Sequence, residues 1–272
     1  MSRRFQPTPL ILAAILAHLA AIVAVVVDLA YWPWTLAIIV LAHLALTAAG
    51  LWPRSRLLGP NWVRLPPEAA ARGEIALTID DGPDPEVTPA TLDILERHHV
   101  RATFFCIGER ARAHPELINE IVNRGHAVEN HSHHHRHHFS FFGPRRMRED
   151  IAAAQDILGK LSGQTPRFFR APAGLRNPLL EPVLVRLGLT LVSWTRRGFD
   201  TRETRADIVL ARLARQLAAG DILLLHDGHA ARDAHGQPVI LAILPPLLDT
   251  IARAGLKPVT LASCHPENRP PV

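Results

Sequence analysis

From Ile75 onward, short apolar runs of strand length alternate with longer stretches of helical period, and this alternation leaves few architectures open. The strand-type runs lie at 75–80, 102–107, 126–130, 167–171, 189–194, 222–226 and 257–261. Helical spacing fills the gaps at 88–99, 109–124, 144–162, 177–187, 204–219 and 239–254. Thr88-Pro89 and Asn177-Pro178 carry the start signal of an N-cap followed by proline, while Gly125 and Gly220 stand where helices should stop. Strands joined by crossover helices run parallel, so the expected fold is α/β, a distorted (β/α)7-type parallel barrel. In such barrels the chemistry gathers at the C-terminal ends of the strands.

Those ends carry polar residues. Thr78-Ile79-Asp80-Asp81-Gly82-Pro83 closes the first run, a histidine-rich stretch from His131 to His138 follows the third, and Arg170 and His226 close later ones. An Asp-Asp-Gly-Pro turn by itself is an ordinary strand ending, and a lone histidine at a strand end is usually just hydrogen-bonded. Together, one carboxylate and two imidazoles make a three-ligand divalent site with room for water, the open arrangement that metal-assisted hydrolysis needs. Spacing alone does not choose the histidines, because 131 with 135, 133 with 137 and 134 with 138 are all four apart. Cys106 and Cys264 have no CxxC partner, which argues against a thiolate metal site. Cys106 reads as a small buried hydrophobe and Cys264 as part of a polar tail.

The N-terminus is of different composition. Residues 9–27 and 35–52 are two apolar runs, each near the ~20 residues needed to cross a bilayer, and they read as a two-helix transmembrane hairpin. Asp28, Tyr31, Trp32, Pro33 and Trp34 form an aromatic-rich connection suited to the headgroup region. Arg3 and Arg4 precede the first run and Arg54, Arg56 and Arg64 follow the second. The positive-inside bias then places both ends, and the domain that follows, on the cytoplasmic side of an inner (cytoplasmic) membrane. Both runs contain Leu-Ala-His-Leu-Ala, which sets His18 and His43 near mid-depth, where each is expected to bond the other or a carbonyl. The expected organisation is a hairpin over 1–52, a Pro- and Arg-rich linker over 53–73 close to the bilayer surface, a catalytic domain over 74–262 and a tail over 263–272. The formal net charge of +5 comes from arginines dispersed along the chain, so no nucleic-acid partner is expected.

Over residues 74–262 the pattern resembles the polysaccharide deacetylase family, the NodB homology domain of carbohydrate esterase family 4. Thr78 to Gly82 match its first motif with Ile79 in place of Phe, and the resemblance makes Asp80 the catalytic base and Asp81 a metal ligand. His131, Ser132 and His135 match the second motif, with the register fixed by Gly125-His126, Asn130 and Ser132. The other histidines, His133, His134, His137 and His138, are then solvated loop residues or rim contacts. Arg170, Pro172 and Gly174 match the third motif, but Ala173 replaces an aromatic residue. The resemblance implies that Arg170 orients the base and that the backbone N–H of Ala173 holds the oxyanion, with Pro172, Trp194 and Leu224 around the substrate. The fourth motif is half kept: Asp200 remains to tether the acid, while Thr201 stands where a Trp is usual and Arg197 where an acid is usual. Leu224 and His226 match the fifth, with His226 as the acid.

The implied protein is a membrane-anchored metal-dependent deacetylase of an N-acyl, in the first place N-acetyl, amino sugar in a polysaccharide or lipid-linked glycan. The metal would be Zn²⁺, with Co²⁺ or another divalent ion as alternatives. Ala173, Thr201 and the histidine-rich loop motivate a competing reading, a catalytically impaired glycan-binding or metal-binding module of the same fold. Against it stand Asp80 and His226, which a pure binder does not need.

Overall fold

A computed structural model describes residues 4–265. Arg3 and the tail beyond His265 lie outside the described residues. Two long helices come first, α1 (Pro9–Val27) and α2 (Trp32–Leu51), and a short one, α3 (Pro67–Ala71), leads into the sheet. The alternation then runs β1 (Glu74–Asp80), α4 (Val87–Arg97), β2 (Thr103–Cys106), α5 (Gly108–Ala113), α6 (Pro115–Asn123), β3 (Ala127–Asn130), α7 (Pro144–Ser162) and β4 (Phe168–Phe169). It continues with α8 (Leu180–Leu187), β5 (Thr190–Leu191), β6 (Arg196–Arg197), α9 (Ala206–Ala214), β7 (Ile222–His226), α10 (Val239–Arg253) and β8 (Lys257–Val259).

The strands form one parallel sheet in the order β5-β4-β3-β2-β1-β7-β6, with β8 paired to the start of β1. The strand expected at 189–194 is only Thr190–Leu191, and a further short strand follows at Arg196–Arg197. β5 lies beside β4 and β6 beside β7, so the bent segment between them carries the chain from one side of the sheet to the other and curls it toward a barrel. The segment expected as a linker fills the gap this bend leaves. Trp62 N–H donates to the Leu191 carbonyl, Ser193 N–H to the Trp62 carbonyl and Leu65 N–H to the Gly220 carbonyl, and Leu58, Leu65 and Ala69 are buried.

The period-2 alternation of β1 separates two cores and aims the chemistry. Ile75, Leu77 and Ile79 pack outward with Leu92 and Leu95 of α4 and with Ile243, Leu244 and Leu247 of α10. Ala76 faces inward with Phe105, Phe168, Val192 and Ile222, and Thr78 and Asp80 share that inward face further along the strand. Fully burying each apolar side chain contributes ~1.5–3 kcal/mol, which holds the barrel around polar groups at its mouth.

Local chemistry explains where the elements differ from expectation. The helix expected at 109–124 breaks at His114, because the residue before Pro115 is driven out of the α region. Thr88 lies inside α4 rather than capping it; Asp84 Oδ1 accepts from the Glu86 and Val87 N–H groups instead. Asn177 Oδ1 accepts from Leu179 N–H one turn before α8 begins. α9 ends at Ala214, short of 219, where Arg196 takes the carbonyls of Arg215 and Gln216. Cys264 is buried beside Phe105 and Ala76 and is not part of a polar tail.

The two N-terminal helices pack on each other with their apolar flanks outward: Leu16 is 63 %, Val26 80 % and Trp34 73 % exposed. Trp32, Pro33 and Trp34 form the first turn of α2 and not part of the connection. His18 Nδ1 bonds the Ala14 carbonyl and His43 Nδ1 the Ile39 carbonyl, with the rings edge to face at 5.0 Å.

Candidate active site and metal centre

The inward face of β1 ends at Asp80, whose register partner on β7 is His226. Adjacent strands are ~4.8 Å apart, so the two side chains project side by side from one floor rather than facing each other across a cleft. His131 follows the last residue of β3 and Arg170 the last of β4, which adds two more strand ends to the same mouth. Asp80, Asp81, His131, His135, Ala173, Trp194, Leu224 and His226 all line one cavity of about 330 Å³. Arg170 and Asp200 lie behind it, each acting through a residue that lines it. Pro172 is buried within the Pro172–Gly174 turn and does not line the cavity.

Arg170 is 1 % exposed, and its burial is met by acceptors. Its Nη1 donates to Asp80 Oδ1 at 2.5 Å and to Thr78 Oγ1 at 2.8 Å, and its Nη2 donates to the Ser193 carbonyl at 2.9 Å. The Phe105 ring lies under the guanidinium at 4.1 Å. Asp80 Oδ1 is thereby fixed, which leaves Oδ2 as the oxygen directed into the cavity. On the other side, Asp200 is fully buried and gives both oxygens to His226: Oδ2 accepts the His226 backbone N–H at 2.7 Å and Oδ1 pairs with Nδ1 at 2.9 Å. Burial opposes a charge on His226, but Asp200, Asp81 and Asp80 outweigh it and push its pKa up to about 9.

Asp81, His131 and His135 bring their ligand atoms within 4.8 Å of one another. Asp81 Oδ1 lies 3.2 Å from His131 Nε2 and 3.1 Å from His135 Nε2. Tetrahedral coordination with bonds of about 2.0–2.1 Å separates ligand atoms by about 3.3 Å, so these spacings suit a zinc-type ion. The proton positions agree. His131 Nδ1 lies 2.8 Å from the Arg170 carbonyl, which can only accept, so Nδ1 carries a hydrogen and Nε2 is the nitrogen turned to Asp81, open to a cation once it gives up the proton that Asp80 and Asp81 favour there against burial. Asp81 Oδ1 is buried without a hydrogen-bond partner. Burial and the neighbouring His131 push His135 down to about 3, the neutral form a metal requires. Burial also works against the Asp81 carboxylate, yet His131 and His229 hold it well below the usual range. The donor set therefore fits a divalent cation.

Backbone strain concentrates here. Asp81 (φ 73°), Ser132 (φ 66°), His135 (φ 48°) and Ala173 (φ 55°) all occupy the left-handed region without being glycine. Each such residue costs ~1–3 kcal/mol and persists only when its surroundings enforce it. Ser132 shows how: its N–H donates to Asn130 Oδ1, its carbonyl accepts from Gly108 N–H, and its Oγ accepts from His135 N–H. Gly82 and Gly228 are needed for space, since a Cβ would collide with the Asp227 carboxylate at the first and the Asp81 carbonyl at the second.

Two residues outside the matched motifs support Asp81. Arg110 Nη1 donates to the Asp81 carbonyl at 3.0 Å and Nη2 to His229 Nε2 at 2.9 Å. An arginine only donates, so His229 Nε2 accepts and its Nδ1–H points to Asp81 Oδ2, 3.3 Å away. The sole sequence signal for His229 is its place three residues after His226. Among the surplus histidines, His137 lines the cavity and His134 pairs with Asp150 at 2.7 Å. His133 departs from the solvated reading: it is 7 % exposed, packed against Gly108.

The chain matches the polysaccharide deacetylase family model over residues 68–192. It is 31% identical over 198 residues to a chitooligosaccharide deacetylase of a Bradyrhizobium species, a match covering 70% of this chain and 90% of that one. It is 34% identical over 157 residues to a peptidoglycan-N-acetylglucosamine deacetylase of Bacillus cereus, covering 57% of this chain and 56% of the relative, so it spans little more than half that protein's length. A family 4 acetyl xylan esterase from Clostridium thermocellum, solved in complex with a cobalt ion, superposes with a TM-score of 0.62 at 30% identity over 70% of this chain and 89% of that one.

Proposed function

The chain belongs to the polysaccharide deacetylase family, and from that premise we propose that it is a membrane-anchored, metal-dependent hydrolase removing an N-acyl group, N-acetyl in the simplest case, from an amino sugar of a polysaccharide or lipid-linked glycan. The observation that carries this reading is the pairing of Asp80 with His226 on one floor, beside the convergence of Asp81, His131 and His135.

Asp81, His131 and His135 would hold the divalent ion, zinc or cobalt among the candidates, which when bound supplies Lewis acidity and lowers the pKa of water toward ~7. The rest falls to the protein. Asp80 takes the proton of the attacking water through Oδ2, while Arg170 holds the carboxylate in orientation through Oδ1. The backbone N–H of Ala173, a cavity-lining residue, would meet the oxyanion, a donor of a kind that typically contributes ~3–4 kcal/mol in the transition state, and the Ala side chain leaves that donor intact. His226 delivers a proton to the departing nitrogen from Nε2, because Asp200 holds Nδ1. Trp194 and Leu224 shape the acyl pocket.

Support for the membrane anchor is the exposed apolar surface of α1 and α2 and their lengths of 19 and 20 residues. Arg4, Arg54, Arg56 and Arg64 flank the pair, favouring a cytoplasmic catalytic domain in the inner membrane. The site also sits close to the end of α2. A Cβ on Gly174 would meet Pro53, two residues past Leu51, and Trp194. That nearness favours a glycan held on a membrane lipid. The decisive experiment is acetate release from N-acetylated amino sugars by the full-length protein in detergent with Zn²⁺. Activity abolished by chelation and restored by Zn²⁺ or Co²⁺ is expected, and chelator-insensitive release would refute the reading. A reporter fused after Val272 that is active only outside the cytoplasm would overturn the assigned side.

A further inference from the structure

Two guanidiniums line the cavity that the hydrolysis above does not use, Arg197 at the end of β6 and Arg202 at the outer rim. Arg197 is the register partner of Leu224, so it stands beside the acyl pocket on the His226 side of the sheet. Its guanidinium lies 5.4 Å from the Trp194 ring centre and 4.8 Å from that of Phe199, and two aromatic faces hold the planar group in place. Among the described residues no carboxylate pairs with it directly, and Asp200, Asp80 and Asp81 attract it only from a distance. Its Nε is buried without a hydrogen-bond partner. The nearby carboxylates are committed elsewhere: Asp80 to Arg170, Asp81 to the histidines, and Asp200 with both oxygens to His226. A half-buried guanidinium with an unmet donor is costly on its own, and a rigid fork of this kind matches a phosphate or carboxylate two bonds at a time.

We infer that Arg197 and Arg202 form a subsite for an anionic oxygen group, a phosphate ester or a carboxylate, carried by the glycan beside the acylated nitrogen. The inference rests on the cavity being the amidohydrolase site proposed above. Trp194 touches both this subsite and the Gly174–Pro53 contact at the exit of α2, which puts the subsite near headgroup level and favours a sugar linked through phosphate to a lipid.

The test compares N-acetylglucosamine, N-acetylglucosamine 1-phosphate and N-acetylmuramic acid on the full-length, Zn²⁺-loaded protein in detergent, with binding read by calorimetry and acetate release read separately. The phosphate ester is expected to bind about ten- to hundredfold more tightly than the neutral sugar, with the gap narrowing as salt rises. Arg197→Gln and Arg202→Gln should collapse that ratio, and Arg197→Lys, which keeps charge but loses the fork, should fall between. Preference for the muramyl compound over the phosphate ester would assign the carboxylate as the ligand. Equal affinity for all three sugars, or a preference that survives both Gln variants within about twofold, would overturn the subsite. Should Arg197→Gln fail to fold, Arg202→Gln and the salt dependence decide. A binding preference without acetate release from any sugar would uphold the subsite and refute the hydrolysis.

Discussion

The floor of the cavity and its rim obey different rules. On the floor, Asp80, Asp81, His131, Arg170, Asp200 and His226 are all buried, at most 6 % exposed, and each is fixed by a charged or backbone partner. On the rim, Arg197 and Thr201 are half-buried, Arg202 and Phe199 are exposed, and Arg197 leaves a donor unmet. Three departures from the family pattern, Ala173, Arg197 and Thr201, line the cavity wall, while Ile79 packs in the outer core, and none of the four belongs to the buried pairs of the floor. The floor is constrained by buried charge pairs and by a donor set that fits a divalent cation, which tolerate little change. The rim only has to match whatever is attached to the acylated nitrogen.

The largest effects should come from the floor. Asp81→Asn should lose both the bound metal and activity. Asp80→Asn should keep the metal and still lose roughly 10²–10⁴ in rate, because the base role is separate from ligation. Metal analysis beside acetate release checks the pair, and an Asp80→Asn protein without metal would dissolve the distinction between the two adjacent carboxylates. Next in size is Arg170→Met, which strands Asp80 in a buried site and should cost ~3–5 kcal/mol in denaturant unfolding. Adding Asp80→Asn to it should recover part of that loss, and strict additivity would show that the two do not act as a pair.

Legibility in the sequence divides along the same line. α7 was legible to the residue at 144–162, because Pro144 starts it, its apolar spacing holds throughout and Gly163 ends it with φ 68°. The strand ends Asp80, His131, Arg170 and His226 were legible because parallel strands put their last residues on one edge. The early end of the strand at Leu191 and the new one at Arg196–Arg197 were not, since no local signal marks where the chain leaves one neighbour for another; the cause is the tertiary pairing with β4 and β7. His229 and Arg110 were missed for a similar reason, as one reaches Asp81 from the loop after β7 and the other from α5. Their contribution is open to measurement: His229→Ala should weaken metal affinity by about tenfold or more, as loss of a ligand's hydrogen-bond partner typically does, without changing the ligand set. Unchanged affinity in a metal-competition assay would return His229 to the rim.

A smaller effect separates the acid from its tether. Because the folded pKa of His226 is raised to about 9, its proton is retained through neutral pH and lost as pH climbs through that value, so kcat/KM should fall on the alkaline side. The stability gained from the His226–Asp200 pair has the same sign: it is complete below the ordinary histidine value and disappears as pH rises through about 9. A cation beside Asp81 offsets part of that carboxylate's pull and lowers the limb somewhat. Asp200→Asn removes the nearest carboxylate and should move the limb down by about one pH unit or more. A limb that stays in place would mean that another group supplies the proton.

The smallest effect expected is at Thr201, and it tests whether the rim sets acyl choice independently of the floor. A Trp at this position would extend the wall begun by Trp194 and Leu224 over space that is now open to water. A methylene in a closed apolar pocket is worth ~1–3 kcal/mol of discrimination, but a pocket closed on one side only should yield less. Thr201→Trp is therefore expected to raise the preference for N-acetyl over N-butyryl substrate by about tenfold at most, while the pH limb set by His226 stays where it was. If the limb moves with the selectivity, the added ring has reached the Asp200–His226 pair, and floor and rim are a single coupled unit.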